Sequence, residues 1–528
     1  MNYAIAYDIG TTGVKTCLFS MDKEINLIEG TYAPYNLYIL ENGGAEQDAD
    51  EWWAALCSTT KELLSKTGVT ADQICGISFC SQMQGLVLVD KDKKALRRPM
   101  SYMDQRSSAQ MKKYGGHGIK VCGVSLVKLL TCLAKTHAAP LSVKDPLWKY
   151  LWVKDNEPEV YSKIYKWLDV KEYLICRATG ECVMTKDSAW PTFLYDSNRN
   201  CWSRQLCRMF KVNPEHLPRV IECYDVAGKL SEQAAQELGL NPNTDVYGGG
   251  GDATIIGVGA GCTKPGDTHI YSGTSGWVVT LTDKQIVDAS HSIASTMGAV
   301  KDRFNYFAEM ETAGKCFEWV KEHLALDEIG IYLKKQDVAE SKESEYTSLY
   351  DYLSNTVSKA APGSNGVVFT PWLHGNRCPF EDPNASGVFF NINIETGKTE
   401  MIRAVLEGIC FHLRWMLEVE SKKIKIADTI RFVGGGALSD VTCQILADIT
   451  GRKIETVEHT QDVGAVGAAI LIGLGRGIIP SIDKVCDFVK VQKTFVPNPD
   501  NKAVYDKNFR VFKSMYKTNK KLFKEINS

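Results

Sequence analysis

The chain lacks the patterns that mark several large classes of protein. Its 528 residues carry a formal net charge of −2, which gives no long-range attraction for nucleic acid or for an anionic membrane. Seventeen cysteines are present, yet no two are spaced as CxxC, so the sequence predicts neither a zinc site nor a disulfide framework. We therefore expect reduced thiols in a cytoplasmic protein that binds neither nucleic acid nor a membrane.

Long apolar runs and a Walker motif are also missing. The longest apolar stretch, residues 463–474, is glycine-rich and ends near Arg476, so it predicts a buried helix rather than a membrane span. The N-terminus has no basic segment followed by a long apolar run, and no signal peptide is expected. The pattern GxxxxGK[ST] does not occur, which excludes a Walker-type nucleotide site.

What the sequence does contain is one glycine-rich turn in two copies. They are Gly10-Thr11-Thr12-Gly13 and Gly273-Thr274-Ser275-Gly276, and each lies between two short apolar, β-prone runs. This pattern predicts β-hairpins whose central hydroxyl and N–H groups can face an anion. One such turn alone could equally have a purely structural role and bind no ligand. Two copies half a chain apart predict a duplicated α/β fold that presents matching turns to one phosphate-bearing ligand.

The length and a second glycine run predict how the chain is divided. Because 528 residues exceed what one hydrophobic core usually supports, we expect two domains, residues 1–247 and 248–528, separated just before Gly248. Residues 337–366 are polar and charged, which predicts a segment that lies on the protein surface rather than a linker between domains. Helical spacing is predicted over residues 146–175, around 349–357, over 400–419 and over 505–523, and a strand over 429–433.

Two aspartates are the main candidates for chemistry. Asp8 precedes the first turn, where a carboxylate beside a phosphate would need Mg²⁺ between them; the alternative is an aspartate that caps its own turn. Lys15 could reach a phosphate or simply be solvated. Asp252 follows four glycines, and a carboxylate fixed there can accept a proton from a substrate hydroxyl. The same residue could serve as the N-cap of a helix over residues 253–261, and the two roles are compatible.

Two further segments could contact a ligand. Gly434-Gly435-Gly436-Ala437 follows an apolar strand, and its backbone could lie against a flat ring or a ribose. The loop at residues 371–377 could supply a lid or a phosphate contact. Within it, Trp372 and His374 are as compatible with packing as with ligand binding.

Taken in order, these residues resemble the FGGY carbohydrate kinases, and the resemblance covers almost the whole chain. Residues 8–15 resemble that family's first phosphate motif, residues 273–276 the second, and residues 249–252 the segment that carries its catalytic base. Residues 434–437, with Asp440 and Gln444, resemble its adenosine motif. Two signature stretches have counterparts at residues 146–156 and 387–407, with Asn391 where the family usually has glycine.

The resemblance implies a two-domain actin-like (ribonuclease H-like) ATPase fold with the active site in the interdomain cleft. It implies transfer of the γ-phosphate of ATP to a sugar hydroxyl with Mg²⁺ as cofactor, and a homodimer is compatible with it. Asp252 is the implied catalytic residue, and Asp8 and Asp252 the metal residues. The implied sugar-binding residues are Gln82, Met83, Gln84, Asp104 and Asp252. The implied ATP-binding residues are Gly10, Thr11, Thr12, Lys15, Gly273, Thr274, Ser275, Gly435, Gly436, Ala437 and Asp440.

Within this family, residues 81–85 and 102–106 are most similar to the xylulokinases, which favours a ketopentose such as D-xylulose. Two positions depart: Gln84 stands where those enzymes usually have His, and Ala253 where they usually have Asn. Another ketose or a polyol is therefore an alternative, although the absence of an Arg-Glu pair near Met83 argues against glycerol. An alternative from a different class is an actin- or chaperone-like ATPase without sugar chemistry.

Overall fold

The first half of the chain is built on a seven-stranded mixed sheet. The computed structural model describes residues 2–288, 290–291, 293–324 and 349–527. The strands of this sheet are β1 (Tyr3–Ile9), β2 (Gly13–Met21), β3 (Ile25–Pro34), β4 (Ile74–Ser81), β5 (Val226–Lys229), β6 (Asp245–Tyr247) and β7 (Gly250–Gly251). Their hydrogen-bonded order is β5-β6-β4-β1-β2-β3, with β7 also paired to β4.

The second half is built on an eight-stranded mixed sheet. Its strands are β8 (Thr268–Ser272), β9 (Gly276–Thr282), β10 (Val287–Asp288), β11 (Ile293–Met297), β12 (Phe304–Met310), β13 (Thr429–Val433), β14 (Lys453–Val457) and β15 (Val491–Phe495). Their order is β10-β11-β12-β9-β8-β13-β14-β15. The strand predicted over residues 429–433 is confirmed as β13.

The two sheets repeat one topology. In the first, the antiparallel hairpin β1-β2 is followed by β4, which pairs with β1 in parallel, and by β6, which pairs with β4 in parallel. In the second, the hairpin β8-β9 is followed by the parallel strands β13 and β14. The predicted duplication and both predicted hairpins are confirmed. The proposed division between residues 247 and 248 stays a prediction.

Helices cover the faces of both sheets. Those of the first half are α1 (Ala49–Thr67), α2 (Ser108–Tyr114), α3 (Leu126–Thr136), α4 (Pro146–Asn156), α5 (Pro158–Lys163), α6 (Val170–Thr179), α7 (Lys186–Ala189), α8 (Arg204–Phe210) and α9 (Glu232–Leu238). Those that follow are α10 (Asp252–Gly259), α11 (Gly314–His323), α12 (Leu349–Lys359), α13 (Lys398–Glu420), α14 (Asp440–Thr450), α15 (Val463–Gly475) and α16 (Lys502–Asn527). None of the described helices is both long enough and apolar enough to cross a membrane.

Short strand pairs connect the outer segments. They join Leu37–Ile39 to Ala45–Gln47, Val87–Val89 to Lys166–Leu168, Lys120–Val121 to Val124–Ser125, Val183–Thr185 to Arg219–Ile221, Tyr195–Asp196 to Cys201–Trp202 and Val368–Phe369 to Phe389–Phe390.

Helical predictions are mostly confirmed, with one error. The helix predicted over residues 146–175 is wrong at Trp167 and Leu168, which lie in a strand because their backbone pairs with Leu88 and Val87. Helical and strand spacing cannot be told apart in so short an apolar segment until its partner is known. The helices predicted around 349–357, over 400–419 and over 505–523 are confirmed as α12, α13 and α16, whereas residues 337–348 lie outside the described part of the chain.

Helix α15 joins the two halves and confirms the predicted buried helix. It comes from the second half but packs on β1 and β4 of the first sheet and crosses α10. The crossing occurs at glycines: a Cβ on Gly259 would lie 1.9 Å from the Val463 carbonyl oxygen, and one on Gly467 would lie 2.6 Å from that of Ile255. A larger side chain at either position would separate the helices, so this contact fixes how the sheets face each other.

Candidate active site

The first glycine turn lies at the end of β1 with its carbonyl groups already bound. The Gly10 N–H donates to Gly13 O at 2.9 Å, and the Gln47 side chain donates to Thr11 O at 2.7 Å. The backbone N–H of Tyr35 donates to Thr12 O at 3.0 Å. Among the described residues, the N–H groups of Thr11 and Thr12 have no acceptor. The turn therefore offers donors, which suits an anion.

The second turn has the same polarity by different contacts. Gly273 O accepts the Gly314 N–H at 2.8 Å, and Thr274 O accepts N–H groups from residues 313 and 315 at the start of α11. Within the described part of the chain, the N–H groups of Thr274 and Ser275 have no acceptor. Both turns thus present backbone donors while the protein holds their carbonyls, as a shared phosphate site requires.

A third turn lies beside the second and is linked to the first. Gly436 packs so closely on Ser272 that a Cβ would lie 2.9 Å from the serine Cβ. The Gly434 N–H donates to Thr460 O at 3.0 Å, and the segment after Thr460 meets Lys15, whose Nζ lies 2.8 Å from an Asp462 carboxylate oxygen. The third turn is therefore held beside the second and is linked through residues 460–462 to the first hairpin.

The remaining residues of the predicted adenosine motif differ in exposure. Gly435 and Ala437 lie in a single 3₁₀ turn, and Gly435 is exposed whereas Ala437 is buried. Asp440, the first residue of α14, is exposed and pairs with Lys493 at 2.7 Å. The backbone of Gly435 is thus accessible to a flat ligand, and the role of Asp440 stays a prediction.

Asp8 is the second-last residue of β1, a half-buried carboxylate that lies beside its pair partner Lys15 across the hairpin. Burial raises its pKa, and Asp462 raises it further, while the Cys80 thiol and Lys15 lower it. A Cβ on Gly464 would lie 2.8 Å from Asp8 Oδ2, so the first turn of α15 lies directly against the carboxylate. Lys15 is shared with Asp462, which leaves the charge of Asp8 only partly offset.

Asp252 is the first residue of α10 and is half-buried in the same space. The predicted N-cap role is wrong by one position: Gly251 is the N-cap, and Asp252 Oδ1 accepts the Ala253 N–H at 2.7 Å. Burial raises the pKa of Asp252 to about 7, and the nearby carboxylates of Asp8, Glu309 and Asp187 raise it as well. A carboxylate with this pKa suits proton transfer near neutral pH.

The predicted sugar loop lies against the segment that carries Asp252. A Cβ on Gly251 would lie 2.2 Å from Met83 Cγ, so the methionine touches the chain one residue before the aspartate. Gln82 is buried, donating its backbone N–H to Ile9 O at 2.9 Å and its side-chain amide to Gln47 at 2.9 Å.

Gln84 has a left-handed backbone with φ of 62°, and two charged side chains hold it there. Its N–H donates to Asp169 Oδ2 at 2.8 Å, and its carbonyl accepts from Lys149 Nζ at 2.8 Å. Lys149 is fully buried and also donates to Ser101 O at 2.7 Å; burial lowers its pKa to about 8. The side chain of Gln84 is left half-buried at the edge of the loop.

Asp104 occupies a more interior position than Gln84. It is fully buried, and its carboxylate accepts from Arg106 Nη2 at 2.7 Å and from the Ala45 N–H at 3.0 Å. Direct sugar binding by Asp104 stays a prediction; in this structure its carboxylate supports the loop at residues 101–106.

The structure adds residues near the site whose contacts could not be inferred from the sequence. Glu309, on β12, pairs with Arg377 at 2.8 Å and acts electrostatically on Asp252. Asp187 binds the backbone beside Asp252. Arg377 belongs to the loop singled out in the sequence, but its neighbour Trp372 is a fully buried packing residue and His374 is exposed. Lys149 lies in a signature stretch, although its contact with Gln84 could not be inferred.

Comparisons with known proteins agree with this geometry. The model of the FGGY family of carbohydrate kinases, N-terminal domain, matches residues 3–259, and that of the C-terminal domain matches residues 269–475. The chain is 29% identical over 527 residues to the xylulose kinase of Bacillus subtilis, covering 99% of this chain and 98% of that protein.

Solved structures show the same two-domain fold. A ligand-bound xylulose kinase from Lactobacillus acidophilus superposes with a TM-score of 0.85 at 25% identity and full coverage of both chains. A gluconate kinase from the same organism superposes with a TM-score of 0.83 at 25% identity, covering 98% of each chain. The chain therefore belongs to the FGGY family of carbohydrate kinases, which are ATP-dependent sugar kinases with a two-domain actin-like fold.

Proposed function

We propose that this protein phosphorylates a neutral ketopentose, D-xylulose, with ATP. The observation that carries the proposal is the contact of Met83 with Gly251, which sets the xylulokinase-like sugar loop against the segment bearing Asp252. A sugar held by that loop has its hydroxyls next to a carboxylate whose pKa is near 7. The similarity to xylulose kinases over the whole chain supports the same substrate.

Each part of the site has a role in this reaction. Asp252 accepts the proton of the sugar hydroxyl as that oxygen attacks the γ-phosphorus of ATP. The free N–H groups of the two hairpin turns hold the phosphates and stabilise charge on the transferred group. Lys15 offsets charge beside the first turn, and the Gly434–Ala437 segment offers backbone to the adenosine.

Asp8 fits a magnesium site shared with the nucleotide. The described residues contain no group of three or more side chains able to hold a metal by themselves. Mg²⁺ in kinases usually takes one or two carboxylates together with phosphate oxygens and water, so a single half-buried carboxylate at the phosphate turn is sufficient. Asp8 would hold the ion, and Asp252 lies near enough to interact electrostatically with it. Bound Mg²⁺ would neutralise phosphate charge during transfer.

The charge around the site favours a neutral sugar over an aldonate such as gluconate. The carboxylates of Asp8 and Glu309 both act on Asp252 through space, which places excess negative charge around that residue. Arg377 is paired with Glu309 at 2.8 Å and is not available to a substrate carboxylate without breaking that pair. A gluconate carboxylate would therefore meet repulsion that D-xylulose does not.

A coupled ADP-release assay tests the substrate. D-xylulose, D-ribulose, D-gluconate and glycerol are compared at saturating Mg·ATP, and D-xylulose should give the highest kcat/KM by at least about tenfold. Phosphate incorporation into the isolated sugar confirms transfer rather than ATP hydrolysis. A higher kcat/KM for D-gluconate would overturn the charge argument, and ADP release that no sugar stimulates would overturn the kinase assignment for these sugars.

A further inference from the structure

We propose that Asp187 is a positioning residue that fixes the orientation of Asp252, an inference that rests on the proposed role of Asp252 as general base. The carboxylate of Asp187 binds the chain on both sides of Asp252. Its Oδ2 accepts the Gly251 N–H at 2.7 Å and the Thr254 hydroxyl at 2.7 Å. The start of α10 is therefore held by one side chain from α7.

The other oxygen of Asp187 is held just as firmly. Oδ1 accepts the Thr185 hydroxyl at 2.5 Å, the Ser188 N–H at 3.0 Å and the Cys223 thiol at 3.3 Å. Asp187 itself is 1% exposed, so it can move little without breaking these contacts. Because both of its oxygens accept hydrogen bonds, the Asp187 carboxylate is held in one orientation. It therefore also fixes the positions of Gly251 and Thr254, which donate to it.

Lys171 supports this arrangement from α6. Its Nζ lies 3.6 Å from Asp187 Oδ1, donates to Thr185 Oγ1 at 2.6 Å and to Ser188 Oγ at 2.5 Å, and pairs with Glu172. All three charged side chains are almost fully buried, with one cation for two carboxylates. Buried charge clusters are seldom the most stable way to fill a core, which points to a value in the geometry they impose.

The geometry imposed is the one that the proposed reaction needs. Gly251 pairs with Ser81 at the end of β4, and Met83 of the sugar loop lies against Gly251. By holding Gly251 and Thr254, Asp187 fixes the first turn of α10 relative to that loop. One carboxylate that is itself buried would thus align the base with the sugar loop.

A double-mutant cycle distinguishes positioning from general structural support. Asp187→Asn should lower kcat about 10- to 100-fold in the otherwise unchanged protein. In an Asp252→Asn background, where no base remains to be positioned, the same substitution should lower kcat less than about threefold. ATP affinity, measured by calorimetry, should stay within about twofold in all variants.

Two further substitutions keep the test informative if Asp187→Asn folds poorly. Thr254→Val removes one hydrogen-bond donor to Asp187 and should lower kcat. Thr254→Ser keeps the hydroxyl and should retain the wild-type kcat. Asp196→Asn is the matched control, because Asp196 is a buried aspartate paired with Lys135 at 2.9 Å in the same half. That variant should keep wild-type kcat even where its melting temperature falls.

Each result has a definite meaning. Equal losses of kcat from Asp187→Asn in both backgrounds, or equal activity of Thr254→Val and Thr254→Ser, would show that Asp187 only supports the fold. If Asp252→Asn alone retains wild-type kcat, the proposed base is wrong and the positioning role fails with it. If Asp252→Asn is inactive but Asp187→Asn is not, the proposed function stands and only this inference is overturned.

Discussion

The two glycine hairpins have the same turn but opposite chemistry beside it. Two positions before the first turn stands Asp8, paired across the hairpin with Lys15. Two positions before the second stands Tyr271, paired with Trp277, and the two rings stack with centroids 4.1 Å apart. The first hairpin is flanked by charges and the second by a rigid aromatic pair.

The difference indicates which features of the duplicated unit both halves require. In each turn, two N–H groups have no acceptor among the described residues, as the proposed phosphate contacts require. A second carboxylate at position 271 would add repulsion to a space that already contains Asp8 and Asp252. Burial and those two carboxylates raise the pKa of Tyr271 to about 12, so its hydroxyl stays neutral. In the proposed site, Asp8 beside the first turn is sufficient to hold a cation, and the aromatic pair beside the second turn adds a neutral surface.

The strongest test removes the candidate base itself. Asp252→Ala should lower kcat by about 10²–10⁴ while ATP affinity stays close to wild type, because the base is lost but the turns remain. The measurement is single-turnover phosphorylation, with ATP binding by calorimetry as the control. Near wild-type turnover in the folded variant would leave Asp252 as only the first residue of a helix.

The hairpin comparison itself is tested by substituting its equivalent positions. Asp8→Asn should lower kcat about 10²-fold at limiting Mg²⁺, because the charge that would hold the ion is lost. Tyr271→Phe should change kcat less than about tenfold, since it removes only a neutral hydroxyl. Both are measured across a Mg²⁺ titration, with circular dichroism to confirm folding. Similar losses from both substitutions would contradict the division of roles.

The sugar side can be altered without touching either hairpin. Gln84→His should change the ratio of kcat/KM values among ketoses by about 10- to 100-fold, because one hydrogen-bonding side chain to a substrate hydroxyl contributes about 1–3 kcal/mol. Histidine tolerates the left-handed backbone at this position comparatively well. The measurement is the same panel of sugars, with the KM for ATP as control. An unchanged sugar profile would contradict the assignment of Gln84 to the sugar pocket.

The pH dependence follows from the pKa of Asp252, which burial raises to about 7. Turnover should rise with pH through about 7 and fall about tenfold per unit well below it, because the protonated acid cannot accept a proton. The stabilising effect of this group is complete below its ordinary pKa of 3.8 and is lost as pH rises through 7. Asp252→Asn should therefore melt higher than wild type at pH 8. An acid limb near pH 4 would contradict the assignment.

The smallest expected effect concerns the support of the sugar loop. Lys149→Met removes the donor to Gln84 O and Ser101 O, and should raise the KM for sugar about tenfold while the KM for ATP is unchanged. Lys154→Met, on the same helix and bonded to Lys211 O, is the matched control. Thermal unfolding of both variants separates a local effect from loss of fold. Equal changes in the two KM values would contradict a role limited to the sugar.

Much of the fold could be predicted because its signals are local. The turn Gly10–Gly13 and its copy join strands that are adjacent in sequence, so the strands predicted from the local pattern are also the ones that pair. The helix α15 could be predicted for a similar reason, because its apolar residues are consecutive in the chain. The helical prediction for Trp167 and Leu168 is wrong because their strand partner lies far away in the chain. Glu309 carried no signal at all, since its partner Arg377 is 68 positions away.

The sequence by itself determined the repeated glycine turns, the candidate base and the family, because each depends on residues that stand together in the chain. Only the tertiary structure decided the properties that make those residues a site. The raised pKa of Asp252 comes from burial and from carboxylates elsewhere in the chain, and the backbone before it is held by Asp187, 64 positions before Gly251. Desolvation and through-space charge depend on distance in the folded chain, and sequence spacing does not encode that distance.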